Sequence, residues 1–263
     1  MLNKVLKYDL KYMYKVLSIF YIITLILSLL TRVFWLFENS AIMNFLGNIL
    51  SAATISFMIS ILFNNILRIW SRFIKNLYGD ESYLTHTLPV KKETIYISKF
   101  LASIITTFTS VLVIILALFI AYYSLESFTY LRTTLEGLAT IYGNSVFTIL
   151  FTFFFIFFLE MAAIIIFGYT GIIIGHKSND NKMLKSIAVG FCLYLLTSAL
   201  VILCLYIYGT LNPDIMNLFL TNEPVNISIV KTALLFGIIY YILLLIIYYF
   251  IDIKLLKSGI NVE

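Results

Sequence analysis

The sequence predicts an all-α integral membrane protein with six transmembrane helices, and two observations lead to this prediction. Of the 263 residues, 62% are hydrophobic and only 12% are charged, whereas soluble domains are roughly 45–50% apolar and about 25% charged. Six apolar runs are also long enough to span a membrane, because crossing a hydrocarbon core about 30 Å thick takes about 20 residues in a helix. We predict these spans at residues 16–37, 43–67, 98–123, 145–175, 186–208 and 232–251.

The spans are predicted to be helices rather than strands of a barrel. In lipid, every backbone polar group must be paired within the protein, which leaves only helices and closed barrels as spanning structures. A barrel would show segments of about ten residues with alternating hydrophobicity. The runs in this sequence are longer and uniformly apolar, so they indicate helices.

The N-terminal segment, residues 1–15, is predicted to be an amphipathic helix at the membrane interface. At about 100° per residue, its four lysines fall within an arc of about 80°, and apolar residues surround the opposite face: Leu2, Val5, Leu6, Leu10 and Met13. A helix divided in this way lies in the headgroup plane of anionic lipids. The alternative is a solvated extension of the first span. Residues 16–263 are predicted to form one six-helix transmembrane domain.

Lysine and arginine in the loops predict the orientation of the spans. Loops on the cytoplasmic side carry an excess of these residues. Fifteen of the 18 in the chain lie on one side: Lys4, Lys7, Lys11, Lys15, Arg68, Arg72, Lys75, Lys91, Lys92, Lys99, Lys177, Lys182, Lys185, Lys254 and Lys257. Both termini are therefore predicted to be cytoplasmic, and the chain is predicted to be a multi-pass protein of a bacterial inner or plasma membrane.

Three segments between the spans can make contacts outside the bilayer. The segment 68–97 is the longest on the predicted cytoplasmic side, and the outer segments are 124–144 and 209–231. The last of these contains the apolar stretch 215–220, which is too short to span a bilayer. This stretch is predicted either to re-enter the membrane or to cover the outer face.

No motif in the chain supports catalysis by the chain itself. The segment 171–178 reads GIIIGHKS and contains the glycine, lysine and serine residues of a phosphate-binding loop. It lacks both the spacing of such a loop and a preceding strand. His86 and His176 are far from each other and from acidic clusters, so neither a metal site nor a general base is indicated. The basic loops lack the pattern of a nucleic-acid surface. We predict no enzyme active site, no metal site, no cofactor and no nucleic-acid partner.

Two glycines near the end of the fourth span have a structural interpretation. Gly171 and Gly175 form a G-x-x-x-G pattern, in which the absent side chains let another helix approach closely. The alternative is that the two glycines only mark the end of a helix.

Two features within the spans are candidates for a translocation path. Glu160 is acidic and lies deep in the fourth span, where a charge is costly unless it is paired, hydrated or protonated. The second span carries a ridge of small and polar residues at every fourth position, which includes Ser56, Ser60 and Asn64. Tight helix packing and the wall of a path both explain this ridge.

The loop between the second and third spans carries a resemblance to a known family. Residues 79–90 read GDESYLTHTLPV and precede a basic stretch, 91–99. This resembles the cytoplasmic loop of bacterial ATP-binding-cassette transporter permeases of the type-2 exporter class, in which a G-D-E-x-Y-L-x-x-T-L-P-V stretch precedes a basic helix that leads into the third span. The residues that carry the resemblance are Gly79, Asp80, Glu81, Tyr83, Leu84, Leu88 and Pro89.

The chemistry of proline fits this resemblance. The residue before a proline is excluded from the α region, so Pro89 predicts a break at Thr87 or Leu88. A new helix that enters the bilayer is then predicted within residues 91–99.

The resemblance implies a function for the chain and a set of partners. It implies that the loop forms a coupling helix, which sits in a groove of a separate ATPase subunit that binds ATP and magnesium. It also implies a second permease copy, identical or related, because six spans make only half of a pathway. The expected cargo is amphipathic or antimicrobial peptides or other hydrophobic molecules, and the expected mechanism is alternating access.

A secondary transporter that uses Glu160 as a proton relay is the competing hypothesis. It predicts inverted repeats and helices broken near the membrane midplane. Neither feature is visible in the sequence.

Overall fold

The computed structural model of the chain describes residues 1–37, 40–178, 180–212, 215–216, 220 and 227–259. In this part of the chain the secondary structure is helical, without strands. The helices are α1 Leu2–Trp35, α2 Ala41–Leu77, α3 Ser82–Thr87, α4 Lys92–Tyr122, α5 Leu125–Tyr142, α6 Val146–Gly175, α7 Lys182–Leu211 and α8 Ile227–Lys257.

Six of these helices are long and apolar enough to cross a membrane: α1, α2, α4, α6, α7 and α8. This confirms the prediction of an all-α multi-pass membrane protein with six spans. Five of these helices extend beyond the predicted spans at one end or at both, whereas α6 coincides with the predicted span 145–175. The clearest case is α2, which continues for ten residues past position 67 to Leu77 and has 37 residues in total. The predicted loop 68–97 is therefore mostly helical.

The N-terminal residues 1–15 form the first turns of α1 and are not a separate helix. Their lysines are exposed, while Asp9 and Met13 on the opposite side are buried. The apolar face of residues 1–15, for which lipid contact is predicted, therefore packs on the protein itself at Asp9 and Met13. Whether these turns lie in the headgroup plane stays a prediction.

The chain divides into two compact units, residues 1–132 and 133–261, with the boundary inside α5. That residues 16–263 act as one transmembrane domain stays a prediction. In the first unit, α1 packs against both α2 and α4. Hydroxyl groups join these helices: Thr31 and Thr54 are 3.0 Å apart, and Tyr21 lies 2.7 Å from Ser110. Small polar residues are typical of contacts between membrane helices, because they allow close approach and hydrogen bonding.

In the second unit, α6 packs against α7 and α8. A Cβ atom at Gly171 would lie 2.6 Å from the carbonyl oxygen of Ser186 and 2.9 Å from the Cα of Gly190, so only glycine fits there. Gly175 likewise faces the backbone of Ser186. The prediction that the G-x-x-x-G pattern permits close helix approach is confirmed.

The two segments predicted to lie on the outer side differ in how much of each the structure describes. Segment 124–144 contains α5, an 18-residue helix. Most of segment 209–231 lies outside the described residues, and with it most of the stretch 215–220 for which re-entry or a lid was predicted.

Candidate functional site

The chain reverses direction after α2 in a tight turn that begins the candidate site. The amide groups of Tyr78 and Gly79 both donate to the carbonyl oxygen of Ile74, and the amide of Glu81 donates to that of Lys75. These bonds satisfy carbonyl groups that the end of a helix leaves unpaired. A Cβ atom at Gly79 would lie 3.2 Å from the Cα of Lys75. Glycine therefore lets the chain fold back closely on α2.

The short helix α3 follows, and it has one anchored side. Ser82 and Thr85 are buried, the Thr85 hydroxyl donates to the carbonyl oxygen of Glu81 over 3.0 Å, and Nε2 of His86 lies 3.1 Å from the carbonyl oxygen of Leu77. These contacts hold α3 against the end of α2.

The opposite side of α3 is apolar and exposed. Tyr83 is 79% exposed, Leu84 is 72% exposed and Leu88 is 49% exposed. Asp80 and Pro89 are exposed beside them. Large apolar side chains that project from a six-residue helix form a surface suited to contact with another protein. We call Tyr83, Leu84 and Leu88 the α3 apolar surface.

The predicted break at proline is confirmed. Helix α3 ends at Thr87, Leu88 has extended backbone angles, and α4 begins at Lys92. Residues 88–91, in which Leu88 and Lys91 have extended backbone angles, separate α3 from α4.

Glu81 has a role different from the other residues of the predicted coupling set. Its Oε2 accepts hydrogen bonds from Nη1 of Arg72 at 2.6 Å and from Nδ2 of Asn76 at 2.9 Å. Its carboxylate therefore points to α2 rather than away from the protein. Glu81 fixes the start of α3, and the apolar residues beyond it form the accessible surface.

Arg72 extends this anchor into the interior of the first unit. Its Nε donates to Oδ1 of Asp9 over 3.0 Å, and its guanidinium lies 4.5 Å from the centroid of the Tyr12 ring. One arginine of α2 thus bonds the loop through Glu81 and α1 through Asp9.

Asp9 is the centre of the charged network. It is 1% exposed, and besides Arg72 it accepts hydrogen bonds from Nζ of Lys99 at 3.2 Å and from the hydroxyl of Ser98 at 3.2 Å, both on α4. A buried charge is tolerated only when it is paired and hydrogen-bonded. We call Asp9, Arg72, Glu81 and Lys99 the charged network; it links α1, α2, α4 and the base of α3, and its formal charges balance.

The sequence pattern does not identify Asp9 as a site residue, and Arg72 and Lys99 serve in it only as markers of orientation. A usable signal was present. At 100° per residue, Asp9 falls on the apolar side of residues 1–15, near Met13 and opposite the lysines. A carboxylate on a face that packs against protein requires a cation from another helix.

The residues proposed for a translocation path are on α2 and α6. Ser56 is exposed, and Ser60 and Asn64 are half-buried; their side chains donate to carbonyl oxygens four residues earlier in the same helix. Ser56 is thus open at the surface of the first unit, whereas Ser60 and Asn64 are partly covered, and both interpretations of the ridge, helix packing and the wall of a path, stay predictions.

Glu160 lies on α6 and is half-buried. It belongs to the second unit, as does Tyr241 of α8, with which it interacts electrostatically. The α3 apolar surface and the charged network are both in the first unit, so Glu160 is a feature separate from the candidate site.

Among the residues that the structure describes, no group of three histidine, cysteine, aspartate or glutamate side chains is arranged to hold a metal ion. Comparison of the chain with protein-family models, with curated proteins and with solved structures gave no match. The function is therefore inferred from the site's own geometry and from the residues of the loop.

Proposed function

We propose that this chain is the membrane-spanning permease subunit of an ATP-binding-cassette exporter of the type-2 class. In this proposal α3 is the coupling helix and docks in a groove of a separate ATPase subunit on the cytoplasmic side. That subunit binds ATP and magnesium, and the chain itself has no catalytic site. A second permease copy, identical or related, supplies the other half of the pathway.

One observation carries the proposal: a short helix between two spans is held rigidly on one side and is apolar and exposed on the other. Glu81 ties the start of α3 to Arg72, and the α3 apolar surface faces away from the protein. Leaving apolar area in water is unfavourable by about 25 cal/mol per Å². A protein partner that covers Tyr83, Leu84 and Leu88 removes this cost, and the rigid anchor lets that partner's movement reach α1, α2 and α4.

Two further features support a pathway between two permease copies. The ridge with Ser56, Ser60 and Asn64 is exposed or half-buried within this chain, as expected of a surface that faces a second copy or an aqueous path. Aromatic residues make up 17% of the chain, which suits amphipathic or antimicrobial peptides or other hydrophobic cargo.

The experiment that tests the proposal measures ATPase binding and stimulation. The purified full-length chain in lipid nanodiscs is mixed with the ATPase encoded by the neighbouring gene, and two variants, Leu84→Asp and Leu88→Asp, are compared with the wild type. Both variants are expected to insert in the membrane normally and to lose binding and stimulation, because a carboxylate replaces an apolar contact.

Leu125→Asp is the matched control. Leu125 is 75% exposed at the first position of α5, where an acidic residue is favourable for a helix, and it lies on the other side of the membrane from α3 in the proposed topology. This variant is expected to bind the ATPase as the wild type does. The proposal is wrong if Leu84→Asp and Leu88→Asp both bind and stimulate normally, and the absence of a neighbouring ATPase gene would weaken it seriously.

The same preparation distinguishes the competing hypothesis of a proton-coupled transporter. Such a protein needs no ATPase, and its transport depends on Glu160. Transport that is driven by a proton gradient without ATP and abolished by Glu160→Gln would favour that hypothesis over the exporter.

A further inference from the structure

Helix α5 is a complete helix with its own caps. At its start, the amide of Ser127 donates to the Ser124 hydroxyl over 3.0 Å, as in a typical N-cap. At its end, Gly143 has a φ of +63° and the amide of Asn144 donates to the carbonyl oxygen of Ala139, which is a glycine C-cap. These caps define an 18-residue helix that does not depend on the spans for its ends.

The two sides of α5 differ in polarity. At 100° per residue, one side carries five apolar residues within about 80°: Phe128, Leu131, Leu135, Leu138 and Tyr142. The other side carries Glu126, Thr129, Arg132, Thr133, Glu136 and Thr140, with Leu125 among them at the first position of the helix, and Tyr130 and Ile141 lie between the two sides. A helix with such a division lies along a boundary between water and an apolar phase.

Most of the apolar side is not covered by the chain. Phe128, Leu131 and Leu138 are exposed, whereas Leu135 and Tyr142 are half-buried. The helix is thus held to its own protein at its second half, and a row of large apolar side chains beside that contact stays uncovered.

Both ends of α5 are tied closely to spans. Helix α4 ends at Tyr122, and α5 starts at Leu125; α5 ends at Tyr142, and α6 starts at Val146. Linkers of two and three residues cannot take the helix far from the ends of these spans, since an extended residue covers at most about 3.6 Å. Each end of α5 therefore stays close to the end of a helix that is long and apolar enough to cross a membrane.

Aromatic rings connect the apolar side of α5 with an exposed apolar surface of α4. Phe119, which is 56% exposed on α4, has its ring centroid 4.6 Å from that of Tyr123, and the Tyr123 centroid is 6.0 Å from that of Phe128. Aromatic rings are enriched at the level of lipid headgroups. The apolar side of α5 thus continues the exposed apolar surface at the end of α4.

We propose that α5 lies in the interfacial plane of the bilayer, with Phe128, Leu131 and Leu138 inserted among the lipids and the side with Thr129 and Glu136 facing water. The occupant of this surface is the lipid bilayer itself. Because α5 carries only Glu126, Arg132 and Glu136 as charged residues, apolar burial drives the contact and anionic headgroups are not required. This inference concerns the side of the membrane opposite α3 and does not rest on an ATPase partner.

The test is an accessibility measurement on spin labels in the full-length chain. Cys192 and Cys204 are replaced by alanine, and single cysteines are introduced at Leu131, Leu138, Thr129 and Glu136. Each protein is labelled and reconstituted in phosphatidylcholine vesicles. Collision with oxygen, which concentrates in lipid, is compared with collision with a water-soluble nickel chelate.

Oxygen collisions are expected to exceed chelate collisions at positions 131 and 138, and the order is expected to reverse at positions 129 and 136. Scanning the intervening positions should give a period of about 3.6 residues, unchanged when phosphatidylglycerol is added. Leu84→Cys, on the α3 apolar surface, is the matched control and should favour the chelate, because that leucine is 72% exposed on a loop that lies outside the bilayer in the proposed topology.

Two results would overturn the proposal. Chelate collisions that dominate on both sides of α5 would show a helix free in water. Labels at positions 131 and 138 that meet neither reagent would show that a protein, such as a second copy, covers the surface. A cysteine-free background that melts as the wild type does establishes that the replacements themselves leave the fold intact.

Discussion

Removal of the Asp9 carboxylate tests the charged network most directly. The variant Asp9→Leu leaves Lys99, whose side chain is 2% exposed, without its contact to Asp9. Removing one member of a buried ion pair costs about 3–5 kcal/mol, because the remaining charge stays desolvated. Arg72 retains Glu81 and the Tyr12 ring, which reduces the loss. We therefore expect the free energy of unfolding to fall by about 3 kcal/mol, at the lower end of that range.

A second substitution separates charge pairing from general damage to the core. In the double variant Asp9→Leu/Lys99→Met, the remaining pair, Arg72 and Glu81, is balanced. Replacing both members of a buried pair by apolar residues is often neutral. The double variant is therefore expected to recover most of the stability that Asp9→Leu loses.

The assay is equilibrium unfolding of the purified chain by SDS in mixed micelles, with helix content as the signal. Asp80→Asn is the matched control: Asp80 is exposed on the neighbouring turn, and exposed substitutions usually change stability by less than about 0.5 kcal/mol. The reasoning is refuted if Asp9→Leu costs no more than Asp80→Asn, or if the losses of Asp9→Leu and Lys99→Met simply add in the double variant.

Two other substitutions test the anchor of α3 and the contact between α6 and α7. Glu81→Gln removes the charge that Arg72 binds. Since the Glu81 side chain is 43% exposed, the free energy of unfolding should fall by about 1 kcal/mol or less, and amide hydrogen exchange of residues 82–87 should become up to about fivefold faster. Equal exchange rates in Glu81→Gln and Asp80→Asn would show that Glu81 does not anchor α3. Gly171→Ala places a Cβ 2.6 Å from the carbonyl oxygen of Ser186 and should lower the free energy of unfolding by about 1–3 kcal/mol. Gly237→Ala meets no atom within 4 Å and should raise it by up to about 1 kcal/mol; similar effects of the two alanines would contradict the close approach of α6 and α7.

The spans could be predicted because a bilayer imposes one requirement on all of them, a run of apolar residues of sufficient length. The continuation of α2 past position 67 could not be predicted in the same way. Residues 68–77 are mixed in polarity; Ile69, Phe73, Asn76 and Leu77 among them are buried, and Arg72 pairs with Asp9 of α1. Arg72 is an example: in the sequence it indicates the orientation of the spans, whereas in the structure it forms ion pairs with Asp9 and Glu81.

The candidate site was predictable where local chemistry determines it. Pro89 determines the end of α3; in the second unit, outside the site, the spacing of Gly171 and Gly175 likewise indicates a close helix contact. Asp9 and Lys99 are 90 residues apart in sequence, so their pairing depends on how α1 and α4 pack. The resemblance places Glu81 in one set with Tyr83 and Leu84. In the structure the Glu81 carboxylate contacts Arg72 of α2, because neighbouring side chains in a helical turn point in different directions.

The length of α2 has a mechanical consequence. At about 1.5 Å per residue, its 37 residues extend over about 55 Å, well beyond a hydrocarbon core about 30 Å thick. The chain's three prolines, Pro89, Pro213 and Pro224, all lie outside α2, so the helix lacks the residue that most often creates a hinge. If α3 is the coupling helix, as proposed, a force on it reaches the C-terminal end of α2, and a tilt of this helix displaces the ridge around Ser56.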